Sequence, residues 1–227
     1  MKAVAIVEAF CVFLATATVL GQQRSGPSSA DNYLTWTSAQ AQRIGRGARV
    51  NGRVGSAFDF RVVHTERSYN YKLRATWLTP EVIRASARLT QLTDGLSNDQ
   101  TQALVAEAEA VADTVLMVEI DPREGSGVVP LDWTASLGPR GSQPGEPASI
   151  NRKNVPGLRQ VRGLRGVFRR DYTYEVFWLV FPLSHESGDP LFAQGVSEAE
   201  LVVRIYDKEG RVKWAVPDSI RGRQPVR

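Results

Sequence analysis

Basic side chains gather in one stretch of this sequence densely enough to suggest charge-based recognition. Between Gly138 and Gly166 stand Arg140, Arg152, Lys153, Arg159, Arg162 and Arg165, with Arg169 and Arg170 just beyond, and Glu146 is the only acid within it. Pro139, Pro144, Pro147 and Pro156, together with six glycines, break the same stretch. Structureless connections longer than about 15 residues are uncommon in compact domains and are usually functional or disordered. The functional reading makes Arg152, Lys153, Arg159, Arg162, Arg165, Arg169 and Arg170 a basic arm that touches an anionic surface. The blander reading is a solvated insertion, which needs no partner to exist and is somewhat favoured on composition.

Other constellations are weaker. Glu119, Asp121, Glu124 and Asp132 surround an acidic turn, and hard cations take oxygen ligands from such loops. The spacing fits no cation loop, however, and Arg123 sits among the carboxylates. A surface turn with a strand-end Glu119 is the better reading, so no metal or cofactor is expected. His64 and His185 each have a carboxylate close by, Glu66 and Glu186, as an acid/base pair would need. Neither has a second ligand at helical spacing, which favours loop histidines. Ser126 lies between Gly125 and Gly127, but the Gly-x-Ser-x-Gly elbow is not met. Five tryptophans could stack on sugars. Trp77, Trp133, Trp178 and Trp214 are nevertheless in phase with apolar neighbours, which assigns them to a core.

The elements that would position these residues are mostly strands. Tyr69, Tyr71, Leu73, Ala75 and Trp77 alternate with polar residues, the period of a half-buried strand. Phe58–Val63 is a second strand candidate, Thr114–Asp121 a third. Tyr172–Leu183 is apolar on both faces after Glu175 and reads as a central strand. Leu201, Val203 and Ile205 lead through Asp207-Lys208-Glu209-Gly210 to Val212, Trp214 and Val216, a hairpin closed at Gly210. Tyr33–Thr37 has β character, and Gly45, Gly47, Gly52 and Gly55 imply turns around a short strand.

A helical segment interrupts the strands over about 80–112. Thr79 is placed to cap it and Pro80 to occupy its first position. Asp94-Gly95 ends the first helix, and Ser97-Asn98-Asp99-Gln100 forms a capping box for the next. Behind that box Leu104, Val105, Ala108, Val111 and Ala112 share one stripe.

The N-terminus carries an address. Lys2 precedes the apolar run Ala9–Leu20, and small residues follow at Ala15, Ala17 and Gly21, the order found in a cleavable export signal. Glu8 leaves the run too short to span a bilayer, which needs roughly 20 apolar residues. Cys11 is the only cysteine and lies inside the run, so cleavage leaves about 206 residues without a disulfide. There is no Asn-x-Ser/Thr site, and Arg outnumbers Lys by 23 to 5, which together point weakly to a bacterium with GC-rich coding. The net charge of +4 favours anionic lipid, polysaccharide or an acidic partner over nucleic acid, which belongs to another compartment.

These readings combine into one expectation. Residues 1–21 are a signal peptide, 22–31 a flexible leader, 32–217 a single β-sandwich domain with the helical insertion and the 138–166 loop, and 218–227 a basic tail. Immunoglobulin-like topology is the first choice within a mainly β class, because that fold needs no disulfide. The expected role is a non-enzymatic interaction or structural module of the cell envelope, periplasmic or secreted. Its partner would be an anionic envelope surface or another envelope protein, with no transmembrane segment after cleavage. A carbohydrate-binding module or a hydrolase with scattered carboxylates is the alternative, and it requires an exposed tryptophan and a carboxylate pair in one cleft.

Overall fold

The computed structural model describes residues 29–54, 71–111, 114–122, 128–142, 150–152, 156–164 and 174–222. The export segment, the Phe58–Val63 strand, His64, Ser126, Lys153, Arg165, Arg169 and Arg170 lie outside the described residues.

The protein is mainly β, and its described residues form two antiparallel sheets and three α-helices. The strands are β1 (Arg49–Val54), β2 (Tyr71–Leu78), β3 (Thr114–Pro122), β4 (Thr134–Pro139), β5 (Ile150–Arg152), β6 (Glu175–Phe181), β7 (Glu198–Ile205) and β8 (Lys208–Ala215). One sheet has the order β1-β2-β3-β6 and the other β5-β4-β7-β8. The helices are α1 (Ser38–Ala48), α2 (Pro80–Asp94) and α3 (Asn98–Glu109). Among the described residues no helix is long and apolar enough to cross a membrane.

Local chemistry accounts for the helices. Thr79 caps α2, accepting from the Val82 amide, and Pro80 opens the helix where a missing N–H costs nothing. Gly95 ends α2 in the left-handed conformation at φ 67°. The Ser97/Gln100 capping box starts α3, with Gln100 Oε1 accepting from the Ser97 amide at 2.8 Å. α1 departs from the sequence expectation. Thr37 and Gln40 form a second capping box, at 2.8 and 3.2 Å, and the helix continues through Gly45 and Gly47. Tyr33–Thr35 belongs to a 3-10 helix, not a strand. Capping and the burial of Ala41 and Gly45 outweigh the helix cost of glycine, about 1 kcal/mol each.

The alternation of β2 splits its side chains between two environments. Tyr71, Leu73, Ala75 and Trp77 join Leu116, Val118 and Ile120 of β3 in a core that the other sheet completes with Leu137, Leu201, Val203, Ile205 and Val212. Leu78, Val115, Met117 and Trp178 point the other way, onto Val82, Ile83 and Ala87 of α2 and Leu104, Val105 and Ala108 of α3. The β1–β2–β3–β6 sheet is thus covered on both sides, and each added buried aliphatic contributes roughly 1.5–3 kcal/mol.

Two expectations are corrected here. β6 has two apolar faces but stands last in its sheet among the described strands. Apolarity on both faces reports cover above and below a strand, and says nothing about neighbours on either side. The β7–β8 hairpin closes through Tyr206-Asp207, because Ile205 pairs with Lys208, and Tyr206 takes φ 55° as tight two-residue turns require. Gly210 is not in the turn. It pairs with Val203 inside β8.

Candidate functional site

The helix-facing side of the β1–β2–β3–β6 sheet changes character along its strands. Where Val115 and Met117 face the helices it is apolar, and one step on the same face carries Arg49, Asn51, Arg74 and Glu119. Register brings three of these into a row, since Asn51 pairs with Arg74 and Arg74 with Glu119. Arg49 reaches the same carboxylate from β1, its Nε donating to Oε2 at 2.8 Å and its Nη2 to Oε1 at 2.6 Å. Glu119 is only 3% exposed. A buried carboxylate without a partner would be costly, and the two-pronged guanidinium supplies what burial takes away. The Arg74 guanidinium lies 4.2 Å from the ring centre of Tyr174, a cation–π arrangement that fixes its plane.

An open cleft of about 710 Å³ lies over this row. α1 forms one wall with Ser38, Gln42 and Arg46, α2 adds Leu89 and Thr93, and the floor is Arg49, Asn51 and Arg74. The α1 wall is internally ordered at a spacing of four: Arg46 donates to Gln42 at 2.9 Å and Gln42 to Ser38 at 3.2 Å. Three guanidinium groups border the space, and among the described lining residues there is no carboxylate or tryptophan. Glu119 pairs with Arg49 at the floor.

Other charged groups make a network on the β4–β7–β8 sheet. Arg211 bridges Glu200 and Glu209 at 2.7 Å each, Arg204 joins Glu209 at 2.8 Å, and Lys213 approaches Glu200 at 3.6 Å. Burial tends to raise the Glu209 carboxyl, but hydrogen bonds from Arg204 and Arg211 bring it below the usual carboxylate range. The Arg211 guanidinium is held above its ordinary value, the bonds to Glu209 and Glu200 outweighing burial. Arg140 is raised by its hydrogen bond to Glu198. Each of these bases reaches a carboxylate, and Glu200 at the centre of the network is only 4% exposed.

No protein-family model, curated protein or solved structure matches this chain.

The residues singled out from sequence fall in several places. Arg159 lies in a 3-10 helix, Pro156–Gln160, and donates to the Val176 carbonyl of β6. Arg162 is exposed in the next 3-10 turn, Arg162–Leu164, whose Leu164 is fully buried against the α2–α3 cluster. Arg152 is in β5, opposite Ala135. The described part of the basic stretch is therefore packed structure. Glu119 is not a strand-end surface carboxylate, because the β3 face it occupies is covered by its own basic neighbours. His185 sits in a tight reversal, its amide donating to Asp189 and its carbonyl accepting from Gly188. Among the described residues no three metal-ligating side chains converge. Trp77, Trp178 and Trp214 are buried, and Trp133 is half-buried against Phe177 at 4.9 Å. A second groove, of about 380 Å³, has Trp77 and Trp214 on its wall but only Glu81 as carboxylate.

Sequence reasoning missed the cleft. The one local signal was the Thr37-x-x-Gln40 capping box, which announces α1 and hence a wall ending in Arg46. Arg49 and Glu119 are 70 residues apart, and no local pattern joins them.

Proposed function

We propose that this chain is an exported, non-enzymatic interaction module of the cell envelope that engages an anionic partner. The observation that carries the reading is the cleft bordered by Arg46, Arg49 and Arg74, three guanidinium groups on its described walls and floor. Guanidinium groups recognise carboxylate and phosphate oxygens, and among the described lining residues no nucleophile is paired with a base. Support for export comes from Lys2, the Ala9–Leu20 run and the small residues up to Gly21. Support for a β-sandwich comes from the core shared by the two sheets. The described strand order favours a sandwich of its own ordering over the immunoglobulin arrangement, in which the first sheet joins strands one, two, five and four.

Retention of the purified protein on a polygalacturonate resin and on anionic vesicles, followed from low to high salt, tests the proposal. Binding at low salt that fades as screening rises is expected. Passage through both in the void volume at low salt would refute it. The carbohydrate-active alternative draws no support from the grooves, since neither pairs an exposed indole with two carboxylates.

A further inference from the structure

We propose that the groove bounded by the end of α1, the start of α2 and the end of β8 binds a small cationic amphiphile, a short alkyl chain carrying an ammonium head. It shares no described lining residue with the arginine-bordered cleft and stands independently of the anionic-partner reading. The groove measures about 380 Å³, room for roughly a dozen heavy atoms at about 30 Å³ each.

The walls select an apolar body. Ile44, Ala48, Val50 and Val82 line the groove together with the indoles of Trp77 and Trp214. Both indole N–H groups are already engaged inside the protein, Trp77 Nε1 donating to Thr114 Oγ1 at 2.6 Å and Trp214 Nε1 to the Ala48 carbonyl at 2.8 Å. The two rings meet edge to face at 5.9 Å, which holds this wall in place. A sugar hydroxyl would find neither indole N–H free, whereas an alkyl chain needs only to leave water.

Gly47 keeps the groove open. Glycine in a helix is destabilising, and it is normally retained for a left-handed φ or for a neighbour too close to admit a Cβ. Gly47 has neither reason, since its φ is not positive and a Cβ there would meet nothing within 4 Å. A larger side chain would instead enter the groove space that this residue lines. The fold would accept it and the groove would not. The head group is read from Glu81, also on the lining. Among the described residues its carboxylate makes no hydrogen bond or ion pair. The ammonium of Lys213, the other charged residue on the described lining, lies 3.6 Å from Glu200. A carboxylate in the first turn also suits α2, so Glu81 serves the helix with or without a ligand.

The test is titration of the purified protein with octyltrimethylammonium, kept well below its micellar concentration and followed by tryptophan emission, to which Trp77 and Trp214 contribute. Tetramethylammonium and octanoate are the comparisons. Saturable binding of octyltrimethylammonium is expected, with tetramethylammonium inactive for want of a chain and octanoate about two- to fivefold weaker. Gly47→Leu is the principal variant. Leucine favours a helix and finds open space, so it should melt no lower than the parent while binding falls at least about tenfold. Glu81→Gln, the second variant, should weaken the cation about two- to fivefold, the range of an exposed ion pair, and bring octanoate level with it. Undiminished binding by Gly47→Leu would overturn the site. Should Gly47→Leu melt below the parent, Glu81→Gln decides, and an unchanged affinity for the cation would then overturn the proposal. Octanoate bound by the parent as tightly as the cation would overturn the assigned head group. Absence of saturation by octyltrimethylammonium would overturn the site outright.

Discussion

Arg49 and Glu119 meet across the intervening strand β2, two parallel hydrogen bonds joining the first and third strands of one sheet. The pair ties the end of α1 to the middle of β3, and it buries a charge that only a partner can make tolerable. Arg49→Ala should therefore cost about 3 kcal/mol, the low end for an orphaned buried ion because Arg74 stands beside the carboxylate. Glu119→Gln in the Arg49→Ala background should recover part of that loss. Urea denaturation of the two variants checks both statements, and equal stability of parent and Arg49→Ala would show that the pair is solvated.

Trp178 is 4% exposed and packs with Met117, Val105 and Leu104 in the helix-side cluster. Replacing it with alanine should cost about 3–5 kcal/mol, as emptying a large aromatic site generally does. Trp133→Ala should cost less, since that ring is only half-buried. A thermal melt of each variant decides the order.

Acid should weaken the protein partly through Glu209. Its folded-state pKa is lowered by Arg204 and Arg211, so its contribution is present above the ordinary carboxylate value of 4.5 and is lost as pH falls through the lowered one. The groups are partly exposed, so the contribution is below about 1 kcal/mol. Glu209→Gln should flatten stability against pH in that acid window and leave the slope near neutrality unchanged.

The 3-10 segment over Arg162–Leu164 is packed tightly enough to be sensitive to a methyl group. At Gly163 a Cβ would collide with the Leu104 carbonyl of α3. Gly163→Ala should lower stability by about 1–3 kcal/mol, the usual range for overpacking. Arg162→Gln, one residue away on the exposed side, should melt with the parent.

Processing provides a separate check. Mass spectrometry of material secreted by a bacterial host should place the mature terminus just after Ala17 or Gly21. That material should melt at one temperature with and without reductant, since Cys11 departs with the signal. Recovery of intact Met1 in a detergent-requiring fraction would refute the export proposal.

What the sequence disclosed was whatever neighbouring residues encode. Thr79-Pro80 and Ser97–Gln100 announce two helices because caps act within one turn, and the alternation of Tyr71, Leu73, Ala75 and Trp77 announces a strand with one side in the core. α1 was obscured because Gly45 and Gly47 look like turn residues, while the burial of Gly45 depends on the fold. Gly210 misled for the same reason. A residue needed for close approach has the same letter as one needed for a turn. The cleft was the least legible part, because its arginines come from α1, β1 and β2 and the carboxylate that holds Arg49 from β3, and no local pattern assembles them.

The close approach at Gly210 also bears on how this protein avoids its own kind. β1 and β8, the last strands of their respective sheets, lie against each other, and so do β5 and β6 on the opposite flank. Val54 of β1 fills the place a side chain at Gly210 would occupy, its Cγ2 only 2.5 Å from where a Cβ would stand. An exposed outer strand is a template on which another molecule can add a strand and begin a fibril. Among the described residues each terminal strand has a neighbour from the other sheet, and the missing methyl group at Gly210 is what lets Val54 come close enough to narrow the open edge there.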